Sequence, residues 1–505
     1  MKYLRKLVLI AVLILAGLSF THTLDSINQD IGRHLKTGEI IWQTKSVPQT
    51  NLFSYTEPAT PFINHHWGSE VIFYLLNLSV GLQGLIILKI LVLLGAFILL
   101  YFAVLSRASP LAYASATVVA LILIVDRTDV RPEIFSYLFL ACFLFAIFRA
   151  KYGGWGRWLY TLPFIELLWA NTHIYFPFGV GLIGLFALER LINGNPGWKR
   201  VAWVTLACIV ATLINPSGLH GALEPFTVLT NYGYTIVENQ GILFLKNYGI
   251  LLTQINWFIL ITILFIASYI PAVKRYGFKN YLFEFIAGGV FIALGADMIR
   301  NLGPYAIVLT PIFALNLSAY GSQKQIPART HALAYGSALA ILVILGWLTV
   351  TNTTFRWAGE GTDFGLAVPE GAQDGVNFVL DNHIAGPVFN NFDVGSYLIW
   401  KLYPQQQVFV DGRPEAYPAS FFSDIYKPMQ EDPATWNHYA NDVYHINYIF
   451  FDYHDITPWA QTFLSFISQD KNWPLVYQDG SVVIFIQRNQ QNLPLIQRYA
   501  KPISY

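Results

Sequence analysis

Apolar positions along this chain fall in long blocks, and the polar positions between them are short punctuation. Blocks near 4–21, 84–105, 109–126, 133–150, 158–171, 174–192, 200–215, 250–272, 281–298, 302–320 and 331–351 approach or reach the roughly 20 apolar residues that span a bilayer. The pattern predicts a polytopic α-helical membrane bundle of about eleven spans. The stretch "WGSEVIFYLLNLSVG" at 67–81 is too short and too amphipathic to cross, and predicts an interfacial helix. The block at 158–171 is short, which suits a tilted or partly re-entrant helix. In the first block Lys2, Arg5 and Lys6 would suit a signal peptide, but no A-x-A-like site follows, so an uncleaved first span is expected.

From about residue 355 the period changes. "PVFNNFDVGSYLIWKLYP" reads as a short strand, a turn and a helix, and "QVFVDGRPEAY" as a strand ending in polar residues. "WNHYANDVYHINYIFFDYHD" reads as a helix and then a strand. "PLVYQDGSVVIFIQR" alternates on both sides of Asp479-Gly480, a hairpin signal. Strands alternating with helices predict a C-terminal α/β domain. The expected division is therefore 1–354 for the membrane part, with a first outer loop at 22–83, and 355–505 for the soluble part.

Charge placement orients the bundle. With the N-terminus inside, the inner loops hold Arg107, then Arg149, Lys151 and Arg157, then Arg190, Lys199 and Arg200. Lys274, Arg275 and Lys279 follow, then Lys324 and Arg329. All are basic, as the positive-inside rule asks, and an odd number of spans puts the C-terminal domain outside the cell membrane. Composition agrees: the chain is 54% hydrophobic and only 12% charged, about half the usual charged share of a soluble domain. A net charge of +1 without a basic arm gives no reason to expect nucleic acid as a partner. The cysteines, Cys142 and Cys208, sit in apolar runs and match no zinc spacing.

Acids, histidines and arginines gather on the predicted outer side. Asp25, Asp30, His34, His65, His66 and Glu70 flank the first loop. "DRTDVRPE" brings Arg131, "NTH" brings His173, and "DMIRN" brings Arg300 and Asn301. Outer loops are wet, and wet loops carry charges. The inner loops, however, hold mainly Lys and Arg, so the asymmetry points to a working outer face. A carboxylate can take the proton of a sugar hydroxyl, and arginines can clamp a phosphate. Both services are needed when a phosphate departs from an anomeric carbon. Each residue also has a plain structural use: Asp30 as the cap of "IGRHLKTGEI", Arg131 and Arg300 as interface anchors, His173 as a satisfied helix-end residue. His65 and His66 with Glu70 would suit a metal, but no clear third ligand follows; a divalent ion is allowed by the sequence and not required by it. In the tail, Asp393, Asp411, Arg413 and Glu415 end the predicted strands. On a parallel sheet they would share one edge, where ligands collect, and that edge is a candidate acceptor site. Turn and cap chemistry is the competing use.

The order "DIGRHLKTGEI", "VPQTNLFSYTEP", "PFINHHWGSEVIFYLL" resembles the membrane glycosyltransferases of the C superfamily. It is most similar to the bacterial group related to protein-mannosyltransferases and lipopolysaccharide-sugar transferases. "VRPEIFSYLFL", "LLWANTHIYFPFGVGLIGL", "LINPSGL", "RNLGPYAIVLTP" and "VFNNFDVGSYLIWKLYP" extend the likeness over most of the chain. The resemblance implies a polyprenyl-phosphate-linked sugar as donor and a glycan, lipid or protein as acceptor. It also implies a bacterial inner membrane and a catalytic acid just after the first span. Asp30 matches that acid, with Asp25 as second choice. His34, His65, His66, Glu70, Arg131, His173, Arg300 and Asn301 would then serve donor binding. Relatives often carry two adjacent acids here, whereas "SINQ" separates Asp25 from Asp30, and His66 stands where they commonly place Glu. The readings from other classes are a transporter or flippase for a lipid-linked sugar and a non-catalytic glycan-binding membrane protein. Transporters carry midspan charge; here Glu166 and Glu284 are the exceptions to an otherwise apolar interior.

Overall fold

The computed structural model describes residues 2–27, 30–154, 156–228, 233–321, 327–358, 362–369 and 371–500. Asn28 and Gln29 of the "SINQ" spacer and Lys324 of an inner loop lie outside the described residues. The chain forms two compact units. One comprises Met1–Leu24, Gly81–Pro225 and Ile236–Ala367; the other comprises Asp25–Val80, Phe226–Thr235 and Val368–Tyr505. This differs from a single boundary at 354/355, because the first outer loop belongs with the tail.

The first unit is helical. Helices stand at the predicted places: Lys2–Ser19, the part of Trp67–Val104 after Gly81, Pro110–Ile124, Glu133–Tyr152, Leu162–Ala170 and Pro177–Ile192. Trp198–Thr212, Leu252–Tyr276, Leu282–Asp297, Leu302–Gly321 and Ala328–Val350 complete the series. Among the described residues, 7 helices are long and apolar enough to cross a membrane. Leu162–Ala170 has 9 residues and Trp198–Thr212 has 15, short of a straight crossing at about 1.5 Å per residue. Leu302–Gly321 is apolar on every face and is accordingly the buried centre. Tyr305, Ile307, Leu309 and Ile312 are inaccessible, and the helix packs against Pro110–Ile124, Glu133–Tyr152, Leu252–Tyr276 and Leu282–Asp297. Ala328–Val350 is equally apolar but leaves Leu333, Val343 and Trp347 uncovered, as a lipid-facing helix does. Of the interior acids, Glu284 accepts from Lys151 Nζ and Tyr152 OH, each at 2.6 Å. Glu166 has no hydrogen-bond partner.

The predicted interfacial helix ends where expected. Trp67–Val104 is continuous except at Gly81, whose φ of 72° and ψ of −175° break the helical path; glycine takes that conformation without a Cβ penalty.

In the second unit, helix Ile31–Thr44 crosses the start of Trp67–Val104 at Gly38, where an added Cβ would collide with the carbonyl oxygen of Glu70. At its other end Gly32 meets the backbone of Ser396 in helix Gly395–Leu402 in the same way. Alanine in a helix normally gains about 1 kcal/mol over glycine. Here the clash is with backbone, so Gly38→Ala is expected to destabilise this unit by about 1–3 kcal/mol, read as a lowered unfolding temperature of the purified chain.

The tail holds a mixed sheet of β1 (Val388–Asn390), β2 (Tyr448–Asp452), β3 (Leu475–Gln478) and β4 (Val482–Ile486), in the order β1-β2-β4-β3. β1 and β2 are parallel; β4 is antiparallel to both β2 and β3. The hairpin at Asp479-Gly480 forms as predicted, with Asp479 Oδ1 accepting from Ser481 N and Val482 N. "QVFVDG" is not a sheet strand. Asn390 replaces a neighbouring backbone there: its Oδ1 accepts from Phe409 N and its Nδ2 donates to Val410 O. The shared parallel edge is thus limited to the ends of β1 and β2. Asn391 bridges them, donating to Asp452 O and accepting from Asp452 N.

Candidate functional site

Each unit gathers its own polar cluster. In the second unit, Asp30 stands immediately before Ile31–Thr44 but makes no cap hydrogen bond. Its carboxylate turns to Arg33 Nη2 at 3.4 Å and accepts from Ser396 Oγ at 3.4 Å. Gly412 leaves room for it, since a Cβ there would lie 2.6 Å from Asp30 Oδ1. The Asp30 side chain is 28% exposed, while Arg33 is buried. Arg33 also faces Glu70, with Nη1 to Oε1 at 3.9 Å. Glu70 is held from both sides: His34 Nδ1 lies 2.9 Å from its Oε1, and Asn64 Nδ2 donates to its Oε2 at 2.6 Å. The His66 ring stands edge-on to His34, and His65 packs on His66. Asp30, Arg33, His34, His65, His66 and Glu70 therefore form one cluster. Asp25 does something else: its Oδ1 accepts from Ile27 N at 2.9 Å, a turn bond. Among the described residues no group of three His, Cys, Asp or Glu side chains converges for a metal.

The tail residues Asp411 and Arg413 are buried and face each other. Arg413 donates from Nε and Nη2 to the two carboxylate oxygens, each at 2.7 Å. Tyr417 OH donates to Asp411 Oδ2, and Arg413 Nη2 donates to Asn51 Oδ1 of the first loop. Phe53 and Phe62 flank the guanidinium at 5.1 and 4.8 Å. Burial alone would raise the Asp411 carboxyl, but the Arg413 guanidinium prevails and holds it below the usual carboxylate range. Burial pushes Glu415 up, against the pull of Arg33. Asp393 is exposed after β1, beside the rings of Tyr234 and Tyr426.

In the first unit three arginines meet a loop. Arg131 Nη1 donates to both oxygens of Glu238 at 2.9 and 3.0 Å, and Arg127 Nη1 lies 3.1 Å from Oε1. Arg300 donates from Nη1 to Asn239 Oδ1 at 2.9 Å and from Nε to Tyr175 OH at 3.0 Å. Burial would raise Glu238, but Arg131, Arg127 and Arg300 together hold it well below the usual carboxylate range. His173 is buried beneath Tyr175, its Nδ1 2.8 Å from Ser136 Oγ. Asn301 is buried and donates to Leu294 O, closing the end of helix Leu282–Asp297. The sequence reading missed Arg33, although its i,i+3 spacing from Asp30 was a signal. It also missed the buried Lys89, whose Nζ lies 2.8 Å from His22 Nε2, and gave Arg127 and Glu238 no role.

No family model and no curated protein sequence matches the chain. Solved structures do. The fold is shared with solved sugar transferases, and the chain is a multi-pass membrane protein. One similar structure is the archaeal oligosaccharyltransferase AglB from Archaeoglobus fulgidus, in complex with an inhibitory peptide and a dolichol-phosphate. It is 12% identical, with a TM-score of 0.63 over 98% of this chain and 75% of that one. ArnT from Cupriavidus metallidurans, bound to undecaprenyl phosphate, is 12% identical with a TM-score of 0.57 and covers 99% of both chains. The mycobacterial arabinofuranosyltransferase AftD is 14% identical with a TM-score of 0.57, over 97% of this chain and 40% of that one.

Proposed function

We propose that this chain is an integral-membrane glycosyltransferase that moves one sugar from a polyprenyl-phosphate donor to an acceptor on the extracytoplasmic face. The observation that carries the reading is Asp30: a carboxylate free of capping, partly open to solvent, and steered by a buried arginine. The shared fold supports it, since two of the similar proteins were solved with a polyprenyl phosphate. In this reading the acceptor hydroxyl oxygen attacks the anomeric carbon while Asp30 takes its proton. The bond from that carbon to the phosphate oxygen breaks, and the phosphate leaves with the electron pair, inverting the centre. Arg131 and Arg300 bind the phosphate and offset its growing charge. The basic inner loops support a cytoplasmic N-terminus, an outer tail and an inner-membrane location.

The test is a panel of labelled polyprenyl-phosphate sugars offered to the protein in proteoliposomes. The expected result is acceptor-dependent release of free polyprenyl phosphate. Translocation of intact donor without release would make the chain a transporter, and donor binding without either would make it a glycan-binding relic.

A further inference from the structure

The arginine cluster of the first unit already holds an anion of its own. Arg127 follows helix Pro110–Ile124, Arg131 precedes Glu133–Tyr152, and Arg300 precedes Leu302–Gly321. All three reach the short turn Val237–Asn239: Arg127 and Arg131 bond Glu238, and Arg300 bonds Asn239. Three further acids stand around the same guanidinia, and Glu133 faces Arg300 and Arg127. Asp126 lies 3.3 Å from Arg127 Nη2, Asp129 lies 4.0 Å from Arg131 Nε, and Glu133 accepts from Tyr137 OH.

The carboxylate is an incomplete occupant. Its two oxygens bond Arg131 and Arg127, while Arg300 feels the carboxylate and hydrogen-bonds a neutral amide and a phenol. Two buried donors at the same place, Arg127 Nε and Asn239 Nδ2, have no acceptor. A phosphate offers more acceptor oxygens and more charge, in the geometry that guanidinium forks match. The turn is held at its far side, where Ile299 N donates to Gln240 O and Gly241 lies against Asp297 O. Glu238 can therefore withdraw without the rest of the segment coming away.

We propose that Arg127, Arg131 and Arg300 form a phosphate site which Glu238 fills in the resting protein, and that the Val237–Asn239 turn withdraws when a phosphate-bearing ligand arrives. This rests on the reading of the arginines as the donor-phosphate site, and adds a competitor built into the chain.

The experiment uses the full chain in nanodiscs, with two probes: a labelled short-chain polyprenyl phosphate and inorganic phosphate. Glu238→Gln is expected to bind the lipid probe on the order of tenfold more tightly than wild type. Glu238→Asp, which keeps the charge on a shorter arm, is expected to fall between them. Arg131→Gln in the Glu238→Gln background should abolish the gain. A gain for both probes assigns the site to the phosphate group itself; a gain for the lipid probe alone assigns it to a lipid headgroup. Either supports the plug. Unchanged or weaker binding in Glu238→Gln, with cooperative unfolding retained, overturns it. If wild type still releases polyprenyl phosphate from labelled donor in that case, the transferase reading survives and only the plug falls. If neither protein binds either probe or turns over donor, both are wrong.

Discussion

Asp30→Asn is expected to lower sugar transfer by about 10²–10⁴-fold, the usual worth of a positioned general base, while donor binding and the unfolding temperature stay near wild type. The substitution is nearly isosteric, so the contacts with Ser396 and Gly412 keep their shape. What it removes is the negative charge and the ability to take a proton. No helix cap is lost, because the carboxylate caps nothing. The buried guanidinium of Arg33 loses its nearer carboxylate but keeps Glu70, 3.9 Å from Nη1. Asp25→Asn makes the internal comparison. Its carboxyl serves the Ile27 turn, a bond the Asn amide oxygen can still accept, so a smaller loss of transfer is expected, with the unfolding temperature near wild type. Initial rates at saturating donor, measured on both variants beside their melting curves, separate the two. Full transfer by a folded Asp30→Asn protein would remove Asp30 from the mechanism.

The elements written by local periodicity were legible in the sequence. Continuous apolar blocks gave the helices, because a bilayer imposes one length on all of them. "YIFFD" became β2, and "VVIFI", read as an alternating run, became β4 buried on both faces. The Gly81 break was legible as the end of an amphipathic stretch. What stayed hidden depends on partners far away in the chain. "QVFVDG" has the composition of a strand, yet its neighbours are the side chain of Asn390 and a single bridge from Val408 to Ser54, which no period announces. Asp30 precedes a helix like a cap, and only the arrival of Ser396 and Arg33 shows that it is not one. The union of the first loop with the tail rests on Asn51 and Arg413, which are 362 residues apart. The arginines were legible as a cluster on one face. Glu238 was legible on that face too, but not as their partner, because the loop carrying it has no regular pattern to place it.

Arg413→Gln is expected to destabilise the second unit by about 3–5 kcal/mol at neutral pH, the range for breaking a buried ion pair from one side. Asp411 would stay inside, inaccessible to water, with Tyr417 OH and the backbone N–H of residue 413 as the remaining donors. The same change releases Asn51 of the first loop and leaves Phe53 and Phe62 without the cation between them, so the loop that carries Asp30 should loosen too. The pH dependence gives a second signature. In the native protein Arg413 holds the Asp411 carboxyl below its ordinary value. That contribution is fully present above the unfolded value of about 4 and is lost as pH falls through the lower folded value. Without Arg413, burial raises the carboxyl against the remaining pulls of Arg33 and the Tyr417 hydroxyl. The deficit of the variant should then be largest at neutral pH and shrink as the pH approaches about 4, where a neutral acid is cheaper to enclose. Replacing both partners, Asp411→Leu with Arg413→Met, should recover much of the loss, because no charge remains buried and the apolar stem still fills the slot between the rings. Denaturant melts of the wild type and the two variants at pH 7 and near pH 4.5 carry the test. A single variant within about 1 kcal/mol of wild type, the worth of an exposed pair, would show that this ion pair does not hold the first loop to the tail.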